Sequence, residues 1–417
     1  MAQSALPLEG IRVLDLTQSW AGPFGTRALA DLGAEVIKVE PPGHHDFIRD
    51  FFLIEIPGPR LYNMSGYFNE VNRNKLGVAI EYARPEGHEL LLSLAARCDV
   101  MIDNSRPGVL EKMGLDAPSV RRRRPDMIIA SMPGYGARGP QGSYPSYGPA
   151  IEQTAGLTSF TGYRDATPQK TGISYGDPVG GLSAASAIIA AIIYRRRTGR
   201  GVTVDISQRE GVECLIGEAL VGYSLHGREP QRQGNRHAAM APHGVFPTLG
   251  RVAGADHWIA IAVRNDGEFA RLMGLMDNPA WARELTTLAE RKRREDELEE
   301  HIGEWTIRFE RYELMHRLQG AGIPAGVVLS PRDLTNDPHL RARNFYPIVN
   351  HPDHGRQILS APVFRTSETP LEIRRPAPCF GQHSREVLSR VLGMSDAAIS
   401  ELQQRGIIAE IPDFYRQ

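Results

Sequence analysis

One acidic residue, Asp177, stands in the segment Thr171-Gly-Ile-Ser-Tyr-Gly-Asp-Pro-Val-Gly-Gly-Leu182, after a glycine-containing loop and before a helix rich in small residues. A carboxylate so placed has the chemistry to attack a thioester. The same Asp-Pro pair also suits a plain helix start, since Asp caps free N–H groups and Pro pre-sets φ at the first helical position. Taken alone, the local sequence favours the cap. Other loops carry cationic and amide side chains: Asn72-Arg73-Asn74-Lys75, Asn104-Ser105-Arg106 and Lys112. Arg and Lys pair with phosphate oxygens, so a shared placement at one sheet edge would suit a polyphosphate ligand. Taken one at a time, each reads as a surface charge. His243, in Ala241-Pro-His-Gly-Val245, and the pair Arg236-His237 are candidates for orientation or acid/base work. The simpler reading, a loop histidine bonded to backbone, is preferred for each. The turn Trp20-Ala-Gly-Pro-Phe-Gly-Thr26 follows a strand and opens a helix, and Glu40 ends the next strand. That layout resembles a dinucleotide site, but Gly22 and Gly25 do not complete G-x-G-x-x-G. No Ser/His/Asp order and no G-x-S-x-G elbow occurs.

The elements that must position these residues alternate. Ile11–Leu16 reads as a strand, Phe24–Leu32 as a helix and Ala34–Glu40 as a second strand, a β-α-β unit with parallel strands. Pro85–Arg97 and Val109–Met113 read as helices, and Asp99–Asp103, Pro125–Ser131 and Val202–Ser207 as strands. Alternation of this kind predicts a Rossmann-like, doubly wound α/β domain, with ligands beyond the carboxyl ends of its strands. Leu182–Arg197 reads as a buried helix. Its apolar stretch, Leu182–Tyr194, is too short to span a bilayer. The polar stretch Arg228–Arg236 breaks the pattern. A smaller α+β domain is expected at residues 228–330, with residues 1–227 in the large domain and 331–417 returning to it.

Lys and Arg number 48 against 49 Asp and Glu, so the total charge implies no polyanionic partner such as nucleic acid. Arg195–Arg197 suit the last turn of a helix closed by Gly199, and Arg121–Arg124 read as a solvated helix end. Cys98, Cys214 and Cys379 are far apart and odd in number. They form no disulfide framework and no short-spaced metal pair, which fits a reducing cytoplasm. The N-terminal residues carry no charged segment followed by an apolar one, so no secretory signal is expected, and no membrane partner.

Taken together, these segments resemble the class III CoA-transferases, the CaiB/BaiF family. The resemblance runs from Leu8–Thr17, Ala21–Pro23, Asp31–Glu40 and Asn74-Lys75 through Asn104–Gly108 and Gly134–Gly136 to Gly176-Asp177 and Arg197–Gly201. It continues through Gly234–His237, Pro242–Val245, Gly322–Ala325 and Asp337-Pro338. It implies that Asp177 is a covalent nucleophile working through aspartyl intermediates, and that CoA thioesters are substrates with no permanently bound cofactor. It places Trp20 and Ala21 near the pantetheine, Ile80, Asn104 and Ser105 near the nucleotide, and Lys112 and Met113 beside it. The phosphates are expected near Lys75, Arg106 or Lys112. Backbone N–H groups at the helix start are expected to serve a developing oxyanion. Pro41 and Pro133 stand where some members carry basic residues, and Ser105 replaces a common aromatic. The resemblance also implies an interlocked dimer, of this chain with itself or with a paralogous subunit. The partners expected are an acyl-CoA and a small carboxylic acid, either carnitine-like or dicarboxylic of the benzylsuccinate type. A racemase of α-methylacyl-CoA shares the fold but needs a His in Pro145-Ser-Tyr-Gly148, where Tyr147 stands. An ordinary phenol is a poor base at neutral pH. The retained Asp177 speaks against a noncatalytic subunit of a heteromeric transferase, and the broken glycine fingerprint against a nucleotide-binding dehydrogenase.

Overall fold

The computed structural model describes residues 5–51, 60–252 and 255–416; the first four residues, part of the N-terminal reading, lie outside them. The chain divides into two compact units, residues 1–158, 170–228 and 341–417 in the first and 159–169 with 229–340 in the second. The second unit therefore takes in residues 159–169, which the sequence pattern assigns to the large domain, and it runs ten residues past 330.

The first unit is built on a six-stranded sheet. In chain order its elements are β1 (Arg12–Asp15), α1 (Ala21–Asp31), β2 (Glu35–Glu40), α2 (Gly66–Asn72), β3 (Leu76–Ala79), α3 (Pro85–Ala95), β4 (Val100–Asp103), α4 (Val109–Lys112), α5 (Ala117–Arg121) and β5 (Ile128–Ser131). Then follow α6 (Gly148–Thr154), α7 (Gly176–Thr198), β6 (Thr203–Asp205), α8 (Gln208–Glu213) and α9 (Gly217–His226). All neighbours are parallel, in the order β3-β2-β1-β4-β5-β6. This is the doubly wound order, with its topological switch between β1 and β4. The strands are short apolar runs because both faces are covered. On one face, Val13, Val36, Val100, Ile102 and Ile128 pack with Leu29 of α1 and Ala184 and Ile188 of α7. On the other, Leu14, Ile37, Met101 and Ile129 pack against Leu91 and Leu94 of α3.

Helix α7 is 23 residues long and begins at Gly176, not at Leu182. By length and composition it is long enough to cross a bilayer, which corrects the shorter reading; here its small-residue face packs in the core. Gly199, at φ +69°, closes it, with its N–H bonded to Arg195 O. Arg195 also pairs with Asp99 at 3.0 Å, as does Arg124, and Arg123 pairs with Glu89, so these basic runs are ion-paired and not merely solvated.

The second unit holds a three-stranded antiparallel sheet, β7 (His243–Val252), β8 (Ala255–Ala262) and β9 (Ala325–Val327). It also holds α10 (Asp266–Leu275), α11 (Leu288–Arg293), α12 (Glu295–Thr306), α13 (Arg311–Gly320) and α14 (Pro331–Asn336). Phe246, Ile259, Ile261, Leu272, Leu298, Ile302 and Leu314 form its core. After α15 (Pro338–Ala342) the chain returns to the first unit with the hairpin β10 (Ile348–His351) and β11 (Gly355–Ile358), then α16 (Ser384–Leu392) and α17 (Asp396–Gln404). Val387, Leu388 and Ile399 of this segment complete the core on the α3 face.

Candidate active site

In a parallel sheet, each crossover helix starts at the carboxyl edge, so α1 and α7 present their N-termini on the same side. They cross in close contact because glycines meet. A Cβ on Gly25 would lie 2.4 Å from Gly181 O, and one on Gly181 would lie 2.4 Å from Ala21 O. Any side chain there would force the helices apart. This crossing brings the first turn of α7 against the first turn of α1.

Asp177 lies in that first turn, not at the cap position. Tyr175 is the N-cap residue and makes no side-chain capping bond. The donor that meets the Asp177 carboxylate is the backbone N–H of Ala21, from the other helix. The cap reading of Asp177 is therefore corrected: its carboxylate takes its backbone donor from α1 and not from its own helix. Burial pushes its pKa from 3.8 up to about 6; the Ala21 N–H offsets part of this and the negative charge of Glu152 adds to it. Gly148, the first residue of α6, packs directly on the carboxylate, since a Cβ there would lie 1.9 Å from Oδ2. The N–H groups expected to serve an oxyanion are partly committed: Tyr175 N–H bonds Glu152 at 2.6 Å and Asp177 N–H bonds Ser174 O at 3.1 Å.

An aromatic wall stands beside Asp177. The Tyr67 phenol is raised to about 12 by burial and by the Asp177 charge. Its ring lies 5.5 Å from that of Trp20 and 5.8 Å from that of Phe51. Tyr147 is exposed and meets Phe47 edge-on at 6.3 Å. Tyr67, Gly148 and Glu152 were not singled out by sequence. Their places follow from the fold, and the only local signal was the Gly-Pro helix start at Gly148.

The residues expected to bind CoA separate into groups. Gln18 N–H donates to Asn104 Oδ1 at 2.9 Å, and Asn104 Nδ2 donates to Gln18 O at 2.8 Å. This clamp joins the loops after β1 and β4 at the topological switch, where Ser105 N–H also donates to Asp103 at 2.9 Å. Trp20 and Ala21 lie on the same edge, and Arg106 and Lys112 are exposed there, the latter on α4. Met113 is half-buried against the core. Ile80 is wholly buried, which leaves its side chain no surface for a nucleotide.

Lys75 is a correction. It precedes β3 and so enters from the amino edge, and it is fully buried. Its ammonium donates to Asp15 at 3.0 Å, Pro23 O at 3.0 Å and Asn72 Oδ1 at 2.8 Å, which uses all three protons. No donor remains for a phosphate. Arg73 and Asn74 are likewise buried and bonded to Asp31, so this run consists neither of ligand donors nor of surface charges. Glu40 is also occupied: Arg49 grips both its oxygens at 2.8 Å, so it cannot receive a ribose.

Arg236, His237 and His243 belong to the second unit. Arg236 binds Glu299 and Asp296, and His243 Nδ1 donates to Asn235 O at 2.6 Å, the backbone-bonded arrangement preferred from sequence. Cys98, Cys214 and Cys379 are free thiols. Among the described residues no cluster of His, Cys, Asp or Glu could hold a metal ion.

A parallel sheet in this order, with ligand-accessible loops at its carboxyl edge, defines a doubly wound α/β protein. The chain belongs to CoA-transferase family III, whose model matches residues 8–384. It is 34% identical over 405 residues to the succinyl-CoA–D-citramalate CoA-transferase of Chloroflexus aurantiacus, covering 96% of this chain and 98% of that one. It is 33% identical to the succinyl-CoA:glutarate CoA-transferase of Mus musculus, covering 98% and 91%. A CaiB/BaiF family protein from Brucella suis has the same fold, with a TM-score of 0.84, 30% identity and coverage of 93% and 100%. The protein is thus an enzyme of CoA transfer, acting in acyl-CoA metabolism.

Proposed function

We propose that this enzyme moves CoA from an acyl-CoA, with succinyl-CoA the first candidate, to a dicarboxylic acid, and that Asp177 carries the acyl group and then CoA. The observation that carries the reading is the Asp177 carboxylate itself, partly buried beside Ala21 and Gly148 with its pKa raised. The names of the relatives favour a dicarboxylate over a carnitine-like acid. An Asp177 oxygen attacks the thioester carbonyl; a C–O bond forms, the C–S bond breaks, and CoA leaves as a thiolate. The thiolate attacks the Asp177 carbonyl of the mixed anhydride, releasing the donor acid and leaving an aspartyl-CoA thioester. The acceptor carboxylate attacks that thioester, frees the thiolate and forms a second anhydride. Attack of the thiolate on the acceptor acyl carbon gives the product and restores Asp177. A carboxylate is a weak nucleophile, so positioning and stabilisation of developing charge must supply the rate.

CoA would run along the carboxyl edge, with pantetheine by Trp20 and Ala21, the nucleotide by Asn104, Ser105 and Met113, and phosphates by Arg106 and Lys112. The working form would be a dimer. Leu215, Leu220, Val221, Tyr223 and Leu225, in and just before α9, are all more than half exposed, a surface a monomer rarely leaves open.

The test is incubation of purified protein with succinyl-CoA and a panel of dicarboxylates, with CoA exchange read by mass spectrometry. Exchange is expected with at least one dicarboxylate. In deuterium oxide, an α-methylacyl-CoA should keep its α-hydrogen. Rapid α-exchange without an acceptor acid would overturn the reading in favour of a racemase.

A further inference from the structure

Glu152, on α6, is wholly shielded from solvent, and among the described residues no cation pairs with it. All its partners lie on the segment leading into α7. Oε1 accepts Tyr175 N–H at 2.6 Å and Oε2 accepts Thr171 N–H at 3.2 Å. The Thr171 hydroxyl lies 3.0 and 2.9 Å from the two oxygens and shares its single proton with Ile173 O, 2.6 Å away.

A buried acid without a cation is a poor device for stability alone, since an unpaired charge opposes folding. Its location supplies a different reason. Tyr175 is the N-cap residue of α7, two residues ahead of Asp177. Glu152 faces the positive end of the α7 dipole and takes the N–H nearest that end. Asp177 is left to the N–H of Ala21. The groups facing Asp177 are Tyr67 from α2, the Ala21 N–H from α1, and Gly148 and Glu152 from α6, with uncharged Gln208 of α8 packed on Gly180. Of these, only Glu152 is a carboxylic acid.

We propose that Glu152 is a positioning residue for acyl transfer: it anchors the 171–175 turn so that the Asp177 carboxylate faces Ala21 at Gly148, and it withholds the leading N–H of α7 from that carboxylate. The inference rests on Asp177 being the nucleophile. Removing the Glu152 charge leaves Asp177 ionised to lower pH and less basic. The acid limb of the kcat profile then moves to lower pH while the plateau falls.

The experiment compares Glu152→Gln, Thr171→Val and Asp177→Asn by kcat, KM and pH profile, with circular dichroism to confirm folding. Glu152→Gln should keep the wild-type KM for acyl-CoA, lose on the order of ten- to a hundredfold in kcat through misplacement of the nucleophile, and show the shifted acid limb. Thr171→Val keeps the charge, so it should lose kcat with the limb in place. Unaltered kcat and profile in folded Glu152→Gln would overturn the proposal, as would a loss explained by a smaller folded fraction with the limb unmoved. Should Glu152→Gln fail to fold, unaltered kcat in folded Thr171→Val would overturn it. An inactive Asp177→Asn beside wild-type-like Glu152→Gln and Thr171→Val removes only the role of Glu152. An active Asp177→Asn removes the nucleophile reading itself.

Discussion

Two pairs of acids in the first unit meet opposite surroundings. Asp15 and Glu40, on β1 and β2, are fully buried and saturated with partners. Burial alone would raise the Asp15 pKa, but Lys75 and Lys38 together with the hydroxyls of Thr17 and Thr26 hold it below the ordinary value. Arg49 and Lys38 do the same for Glu40 against the same burial. Asp177 and Glu152 sit at the carboxyl edge with no cation at all among the described residues. The first pair sets the frame: Lys75 ties Asp15 to Pro23 O, in the first turn of α1, and that turn supplies the Ala21 N–H facing Asp177. The second pair keeps one carboxylate unneutralised and partly exposed at that edge. A charge that is fully paired holds structure, whereas a charge left half-solvated retains the reactivity that pairing would quench.

The sharpest break in this contrast is Lys75→Met. It leaves Asp15 charged, buried and without its nearest cation, so a loss of about 3–5 kcal/mol is expected. Urea unfolding measures it, and an unchanged midpoint would contradict the structural role given to Lys75. Next comes Gly148→Ala, whose Cβ would lie 1.9 Å from Asp177 Oδ2. It should lower kcat about a hundredfold by displacing the Asp177 carboxylate. Steady-state kinetics checks this, with circular dichroism to confirm that the variant is folded. Asp177→Asn sharpens the contrast in the other direction, because it removes a charge that the fold tolerates at a disadvantage. The Asp177 pKa rises from 3.8 unfolded to about 6 folded, so its ionisation opposes folding increasingly as pH climbs between those values. Discounted for partial exposure, the variant should be more stable than wild type by about 1–2 kcal/mol above pH 6 and no more stable below pH 4. Thermal melts at both ends of that range test the sign. The smallest effect is expected at the rim: Arg106→Glu with Lys112→Glu should raise KM for acyl-CoA about tenfold, more at low salt than at high, with kcat kept.

The alternation of strands and helices in the first unit was legible because each strand is a short apolar run closed by Gly, Pro or polar residues. The start of α7 was legible only in part. Asp177-Pro178 marks a helix start, but Gly180 and Gly181 have poor helix propensity; they are helical because Gln208 of α8 and the first turn of α1 pack on them, and packing overrides propensity. Arg73–Lys75 were misread because their partners are remote: Asp15 is 60 positions from Lys75, and Asp31 is 42 from Arg73 and 43 from Asn74. Glu152 was invisible for a similar reason, its partners lying 19 and 23 positions on. Asp177 itself was found by motif, but not the device that leaves it unneutralised.

The most direct measurement is trapping of the covalent species during turnover. Wild-type enzyme turning over succinyl-CoA with a dicarboxylate acceptor is quenched with hydroxylamine or borohydride, digested, and mapped by mass spectrometry beside Asp177→Asn shown free of deamidation. The account predicts modification of Asp177 and of no other carboxylate, and a folded Asp177→Asn protein that binds CoA without exchanging it. An unmodified Asp177 in an enzyme that is turning over, or full exchange by Asp177→Asn, would contradict it.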